Sequence, residues 1–136
     1  MPEAAEAICD LLEASDDEVP QRVAALAKLL DPWDAGKWPV VTYFPFLQRP
    51  ETMPFVKPYA VQQVARALGY DIDYHAQPSA ATYRRIFGLH ELVKVEMGKH
   101  GLEPRDLIDV QTFLWYGCGL GAANLAKAQD TAIELA

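Results

Sequence analysis

Apolar residues recur at helical spacing over the first thirty residues of the chain. Alanine, leucine and valine return every three or four positions over residues 3–14 and again over 18–30. This period predicts two amphipathic helices. Ser15, Asp16 and Asp17 interrupt the pattern between them and offer helix N-caps. We therefore predict an antiparallel helix pair joined by a short turn.

The same period returns in the second half of the chain. It predicts helices over about 58–68, 80–99 and 104–117. Gly69 and Gly101 follow the first two of these segments and predict where they end. The third segment is apolar around most of its circumference, so we expect it at the centre of the core.

A shorter alternating pattern covers Tyr70-Asp71-Ile72-Asp73-Tyr74 and predicts one short strand. Its partner would be 40–43 or 54–56, the only extended candidates. The predicted fold class is therefore mainly α, a compact single-domain fold of five to six helices, with at most one short two-stranded β element.

A proline-rich and aromatic segment separates the two helical parts. It is too aromatic for a flexible linker, and its prolines exclude a long helix or a central strand. Residues 38–44 are either a short helix, with Pro39 in its first turn, or an extended piece. The prolines and aromatic residues are Pro32, Trp33, Trp38, Pro39, Tyr43, Phe44, Pro45, Phe46, Pro50, Pro54, Phe55 and Pro58.

Length and charge refine this organisation. The 136 residues suit one domain, which we divide into an acidic helical pair (1–34), the proline-aromatic segment (35–58), a helical core (59–117) and an alanine-rich tail helix (118–136). Residues 1–34 hold nine acidic and two basic side chains, so the net charge of −7 lies there. An acidic chain is a poor non-specific binder of nucleic acid.

The sequence disfavours a membrane span, a targeting segment and a disulfide framework. No apolar run reaches the roughly 18 residues of a membrane span. The acidic start Met1-Pro2-Glu3 is unlike a secretory signal or a transit peptide. Cys9 and Cys118 are too far apart in sequence for a disulfide framework. We predict a cytoplasmic protein with no membrane partner.

Three strings of residues carry a resemblance to other proteins. Residues 37–44 (KWPVVTYF), 55–58 (FVKP) and 105–115 (RDLIDVQTFLW) occur in this order. Together they resemble the C-terminal part of a family of uncharacterised bacterial proteins, over about residues 20–115. The resemblance implies a shared fold and no particular activity. Members of that family carry a longer N-terminal portion, so a function seated there would be missing from this chain.

Candidate catalytic residues each have a simpler structural interpretation. Asp106 and Asp109 could be metal ligands or an acid/base pair, but Asp106 suits a helix N-terminus and Asp109 can pair with Arg105. His90 could be a base or a ligand, but it fits better as a histidine at the edge of the core that is hydrogen-bonded to the backbone. The glycines of 117–121 lack the residues of a phosphate loop and are interpreted as a hinge. We predict no catalytic residue, no metal site and no cofactor.

A candidate anion site involves Lys57, Arg84 and Arg85. Pro58 forces Lys57 into an extended conformation just before a helix N-terminus, where a bound anion would be favoured. The structural alternative is an ion pair between Lys57 and either Asp71 or Asp109.

Three functions remain open. The first is a non-catalytic protein-interaction or self-associating module that uses the aromatic segment 33–59. We assign its candidate binding residues as Trp38, Lys57, Arg84, Arg85 and Asp109. The second is a nucleic-acid-binding regulator, disfavoured by the net charge, and the third is a small enzyme with an Asp/His site. The basic residues of the second are Lys57, Arg66, Arg84, Arg85, Lys94 and Lys99.

Overall fold

The computed structural model describes residues 2–117, with side chains described as far as Leu114. This part of the chain is mainly helical, as the hydrophobic period predicts. A single 3-10 turn over Asp31–Trp33 follows the second helix. The six helices are α1 (Pro2–Glu13), α2 (Val19–Leu30), α3 (Trp38–Gln48), α4 (Pro58–Ala67), α5 (Ala80–Lys99) and α6 (Leu107–Gly117).

Left-handed residues end three of the helical segments. Gly69 (φ +64°) and Gly101 (φ +76°) follow α4 and α5, as predicted. The amide of Tyr70 donates to the Ala65 carbonyl at 2.8 Å, and that of Leu102 donates to Met97 at 2.9 Å. These bonds satisfy carbonyls that a helix end otherwise leaves without donors. Asp34 (φ 55°) ends the 3-10 turn in the same way.

Side-chain caps begin α5 and α6. The Ser79 hydroxyl accepts a hydrogen bond from the Thr82 amide at 3.2 Å. The Asp106 carboxylate accepts from the amides of Ile108 and Asp109 at 3.0 and 3.1 Å. Each cap pairs amide groups that have no carbonyl partner within the helix. The sequence predicts Asp106 in the first turn of a helix that starts at residue 104, but α6 begins at Leu107, so Asp106 precedes the helix and caps it.

Two helical groups meet across one core. Helix α3 packs on α1 and α2, while α6 packs on α4 and α5. The contact between α2 and α5 joins the two groups. Buried apolar side chains from all six helices form one continuous cluster.

The proposed short strand is wrong. No strand occurs between residues 2 and 117, and residues 70–79 connect α4 to α5 without regular structure. Asp73 has φ 48°, a left-handed conformation incompatible with a strand. The Asp71 carboxylate accepts from the Asp73 amide at 2.8 Å and stabilises a turn instead. The alternation in the sequence reflects only that Ile72 is buried between exposed aspartates.

Residues 38–44, for which the sequence allows either a short helix or an extended piece, are helical. Helix α3 runs four residues beyond the predicted 44 and includes Pro45. Pro39 lies in the first turn, where its missing amide has no helical partner to lose. Pro45 removes one backbone hydrogen bond close to the C-terminal end, and the helix continues only to Gln48.

Helix α6 is a wall of the core and not its centre. Ile108 and Phe113 are 46% and 42% exposed, so the prediction of a central helix is wrong. The predicted tail helix, the glycine hinge and Cys118 lie outside the described residues. No helix described between residues 2 and 117 combines the length and apolarity needed to cross a membrane.

Candidate docking surface

Helix α3 is apolar around its circumference. Only Thr42 and Gln48 in its sequence WPVVTYFPFLQ are polar. One face, formed by Trp38, Val41, Thr42 and Pro45, is buried. An all-apolar helix is normally buried on every side. Whether the other face of α3 is buried or exposed therefore determines whether this helix can contact a partner.

Trp38 holds the beginning of α3 in the core. It is 1% exposed, and its indole N–H donates to the His75 carbonyl at 2.8 Å. Its ring lies 6.0 Å from that of Tyr83, whose hydroxyl donates to the Pro54 carbonyl. A sequence-predicted binding residue is thus an internal anchor that joins α3 to α5.

Thr42 ties the middle of α3 to the segment before α4. Its buried hydroxyl donates to the Trp38 carbonyl at 2.6 Å and accepts from the Val56 amide at 3.0 Å. The amide of Val56 is satisfied by this oxygen. Removing the hydroxyl would leave a buried donor unpaired.

The C-terminal end of α3 is fastened to the end of α1. Arg49 donates to the carbonyls of Leu12 and Ala14 and pairs with Asp16 at 2.7 Å. Gln48 also donates to the Leu12 carbonyl at 2.9 Å. With both ends and the middle held, α3 has a fixed orientation on the body of the protein.

The outer face of α3 carries three exposed apolar side chains. Val40, Tyr43 and Leu47 are 40%, 49% and 57% exposed. Their spacing of three and four residues aligns them along one side of the helix. We call these three residues the α3 ridge.

Neighbouring rings support Tyr43. Its ring makes edge contacts with Phe44 and Phe55, with centroid distances of 6.3 and 6.2 Å. Phe55 also packs on Phe46 at 5.6 Å. A side chain already held by its neighbours loses little conformational entropy on binding. The ridge is therefore a preorganised apolar surface.

A second apolar surface lies between α4, α5 and α6. This groove encloses about 500 Å³ and is lined largely by apolar side chains. Leu68 and Phe113 are partly exposed at it, at 40% and 42%. We call it the α4–α6 groove. Its lining residues include Val64, Leu68, Val93, Met97, Phe113 and Leu114, with polar side chains from Gln63, Glu96 and His100.

Asp109 lies in a local ion pair with Arg105. Arg105 Nε is 3.1 Å from a carboxylate oxygen of Asp109, and the Arg105 amide donates to the same oxygen at 2.9 Å. The guanidinium holds the pKa of the Asp109 carboxyl below its usual range. The pairing expected from the four-residue spacing is confirmed.

The predicted anion-site residues are dispersed over two helix starts. Lys57 has the extended backbone that Pro58 predicts, φ −99° and ψ 111°, and its carbonyl accepts from the Val61 amide. Arg84 and Arg85 are exposed near the start of α5, and Arg85 donates to the Asp71 carbonyl at 3.2 Å. Their assignment as binding residues stays a prediction.

Two lysines of the proposed nucleic-acid surface are paired within their own helix. Lys94 lies 3.1 Å from Glu91, and Lys99 lies 2.8 Å from Glu96. These pairs neutralise positive charge that phosphate binding would need.

His90 is a buried core residue. Because the Ile86 carbonyl can only accept, the bond of 2.9 Å assigns the proton to Nδ1. Nε2 is buried without a partner among the described residues. Burial lowers the pKa of His90 to about 4, with a smaller contribution from Lys94, while the bond to the Ile86 carbonyl opposes the change. The predicted backbone bond is confirmed.

Metal binding and known relatives add no further site. Across residues 2–117, no three His, Cys, Asp or Glu side chains come together in a way that could hold a metal ion. The chain matches no model of a known protein family, no curated protein and no solved structure. The resemblance carried by the three strings stays a prediction.

Sequence reasoning missed the residues that form the two apolar surfaces. It pointed to the aromatic segment but selected Trp38, which is buried. Val40 and Leu47 carry no chemical signal of their own. The available signal was the absence of a polar face in α3, because a helix at the surface of a protein normally carries one.

Proposed function

We propose that the protein is a non-catalytic interaction module that binds a protein partner through the α3 ridge. The observation that carries this proposal is a helix apolar on both faces that buries only one. Val40, Tyr43 and Leu47 stay exposed on a helix fixed at both ends. Covering them removes apolar surface from water at little entropic cost.

The size of the ridge fits an anchor and not a whole interface. Three side chains are far less than the roughly 800 Å² that each partner contributes to a standard interface. Binding energy is usually concentrated in a few such anchors, with tyrosine prominent among them. We expect the half-buried Phe44 and Phe55 to extend the contact around Tyr43.

The setting proposed for this module is the bacterial cytoplasm. An exposed Cys9, with no cysteine partner among residues 2–117, suits a reducing compartment. The proposal uses neither Asp109 nor His90, because one is paired with Arg105 and the other is buried.

Native size distribution tests the proposal. In extracts of the native host, we expect the chain to elute in a species larger than its 15.1 kDa monomer. Leu47→Glu should shift it toward the monomer, since a charge at the ridge must lose its hydration on binding. Val95→Glu is the matched control, because Val95 is 56% exposed on α5 and should tolerate the same change. Elution of all three proteins as monomers would refute the proposal.

A further inference from the structure

The α4–α6 groove leaves apolar side chains in partial contact with water. Leu68, Leu102 and Phe113 line it and are 40%, 45% and 42% exposed. Covering these side chains removes apolar surface from water, which is favourable. The groove encloses about 500 Å³, within the range of sites that hold an organic ligand. Its occupant is therefore apolar on the side that enters the groove.

The chain continues from α6 beside this groove. Phe113 and Leu114 are part of the lining, and the helix extends only to Gly117, three residues further. Three residues of an α-helix advance the chain by about 4.5 Å. Residues 118–136 therefore begin at the edge of the groove.

The sequence of residues 122–136 has the pattern of an amphipathic helix. With 3.6 residues per turn, Leu125, Ile133 and several alanines would share one side, where Gln129 is the polar exception. The alanines would let the helix backbone approach its neighbours closely, since the distance between packed helices depends on the side chains at the contact. The polar residues that would share the opposite side are Asn124, Lys127, Asp130, Thr131 and Glu134.

The connection between α6 and this amphipathic sequence is long enough to reach the groove. Four residues, 118–121, span up to about 13 Å when extended. The part of α5 that lines the groove runs from Val93 to His100, seven helical steps or about 10 Å. Gly119 and Gly121 allow the chain to reverse its direction after α6.

A tether of this length favours an occupant from the same molecule. A short tether gives an effective concentration on the order of millimolar. A separate chain at micromolar concentration would have to bind about a thousandfold more tightly to compete. This argument depends on covalent connection and not on the charge of either surface.

We propose that residues 122–136 dock in the α4–α6 groove of their own molecule, with the side of Leu125 and Ile133 toward its apolar lining. Met97 in the lining is flexible enough to adapt to these side chains. The inference goes beyond the proposed function, which uses the α3 ridge, and assigns the groove an occupant of its own.

Thiol labelling of the full chain tests whether the groove is covered. The reporter is Leu68→Cys, placed in a chain whose native thiols are removed by Cys9→Ser and Cys118→Ser. A second reporter, Val95→Cys, is the control. Val95 is 56% exposed on α5 and is not part of the groove lining, so it should be labelled at the same rate in every variant. A change in its rate would reveal unfolding, which circular dichroism also checks.

Charged substitutions in residues 122–136 should uncover the reporter at position 68. Leu125→Glu together with Ile133→Glu should raise its labelling rate at least about fivefold, because a charge must lose its hydration to enter an apolar groove. Thr131→Glu is the matched control. It adds a glutamate on the polar side of the same sequence and should leave the rate unchanged.

Photo-cross-linking identifies the chain that supplies the occupant. A photoreactive amino acid replaces Leu68 in unlabelled and in ¹⁵N-labelled protein, and the two are unfolded and refolded together. Mass spectrometry should find position 68 joined to residues 122–136 only in pairs of the same isotope.

Three results would overturn the inference. Equal labelling at position 68 with and without the two glutamates would show that residues 122–136 do not cover the groove. An equal increase from Thr131→Glu would exclude the apolar side as the docking side. Cross-links of mixed isotope would place a second copy in the groove. The proposed function is tested separately, because none of these substitutions lies on the α3 ridge.

Discussion

At the scale of single residues, buried polar atoms connect α3 to its surroundings. The Thr42 hydroxyl is the clearest case, because it satisfies the Trp38 carbonyl and the Val56 amide together. Neither contact could be predicted from the sequence. The Trp38 carbonyl is 4 residues from Thr42 in the sequence, and the Val56 amide is 14 residues away. The approach of Val56 to Thr42 depends on how the chain folds back.

Thr42→Val should reduce the free energy of unfolding by about 1–3 kcal/mol, the usual cost of an unpaired buried donor. The substitution replaces the hydroxyl by a methyl group of similar size, which can neither donate nor accept a hydrogen bond. Chemical denaturation monitored by tryptophan fluorescence measures the change. Thr42→Ser is the control and should retain most of the stability, because its hydroxyl can make both bonds. Equal losses in the two variants would assign the effect to packing.

His90 should make the protein less stable as the pH falls below about 6.5. Its pKa is lowered to about 4 in the folded protein, so the unfolded chain takes up a proton first. Stability from the neutral ring is complete above the unfolded pKa and is lost as the pH decreases toward 4. Each unit of pKa difference corresponds to about 1.4 kcal/mol.

Unfolding of wild type and His90→Gln between pH 7.5 and 4.5 tests this dependence. The glutamine does not titrate, so the stability difference between the two proteins should shrink by about 3 kcal/mol as the pH falls. Taking the difference removes the contribution of carboxylates such as Asp109. A difference independent of pH would exclude His90 as the titrating group.

At the scale of elements, the boundaries of α4 and α5 followed from local chemistry. Pro58, Ser79, Gly69 and Gly101 mark the ends of α4 and α5 in the sequence, and the structure places the ends there. Local rules suffice because capping bonds join residues only a few positions apart. The short strand at 70–74 failed for the opposite reason, since a strand requires a distant partner that the fold does not supply.

The sequence alone does not show which faces of α3 and α6 are exposed. Both helices are apolar nearly all round, which predicts burial on every side. Ile108 and Leu47 are nevertheless exposed, because among residues 2–117 each helix buries only part of its circumference against its neighbours. Hydrophobic periodicity predicts that a segment is helical, but it does not show how many other elements pack around that helix.

Close packing at Gly36 makes the connection into α3 sensitive to substitution. A Cβ atom there would overlap the Ala27 backbone carbonyl oxygen, far closer than van der Waals contact allows, and backbone cannot move aside easily. Gly36→Ala should therefore lower stability by about 1–3 kcal/mol. Gly98→Ala is the matched control, since a Cβ there meets nothing within 4 Å. The control should raise stability by up to about 1 kcal/mol, as alanine favours a helix. Thermal unfolding compares the two, and a loss at both sites would contradict the account of Gly36.

At the scale of the whole molecule, the stability of the monomer and its association with a partner should depend on different residues. The α3 ridge contributes little to the core, because its side chains are about half exposed. Leu47→Glu should change the free energy of unfolding of the dilute monomer by no more than about 0.5 kcal/mol, as is usual for exposed positions. Denaturation at low concentration measures this, and a large loss would make Leu47 a structural residue.

The uneven charge of the sequence follows the division of the fold into two helical groups. The sequence predicts an acidic first quarter and a neutral remainder, and the fold sorts these into the two helical groups. The ridge belongs to the acidic group and the groove to the neutral one.

The central claim is that the α3 ridge is covered in the working protein. Hydroxyl-radical footprinting in cells of the native host, read by mass spectrometry, tests it with an internal standard. Tyr43 and Tyr59 are 49% and 60% exposed in the single chain, so they should react at similar rates in the dilute monomer. In the cell, we predict that Tyr43 is protected severalfold while Tyr59 stays reactive. Equal reactivity of the two tyrosines in both conditions would contradict the claim.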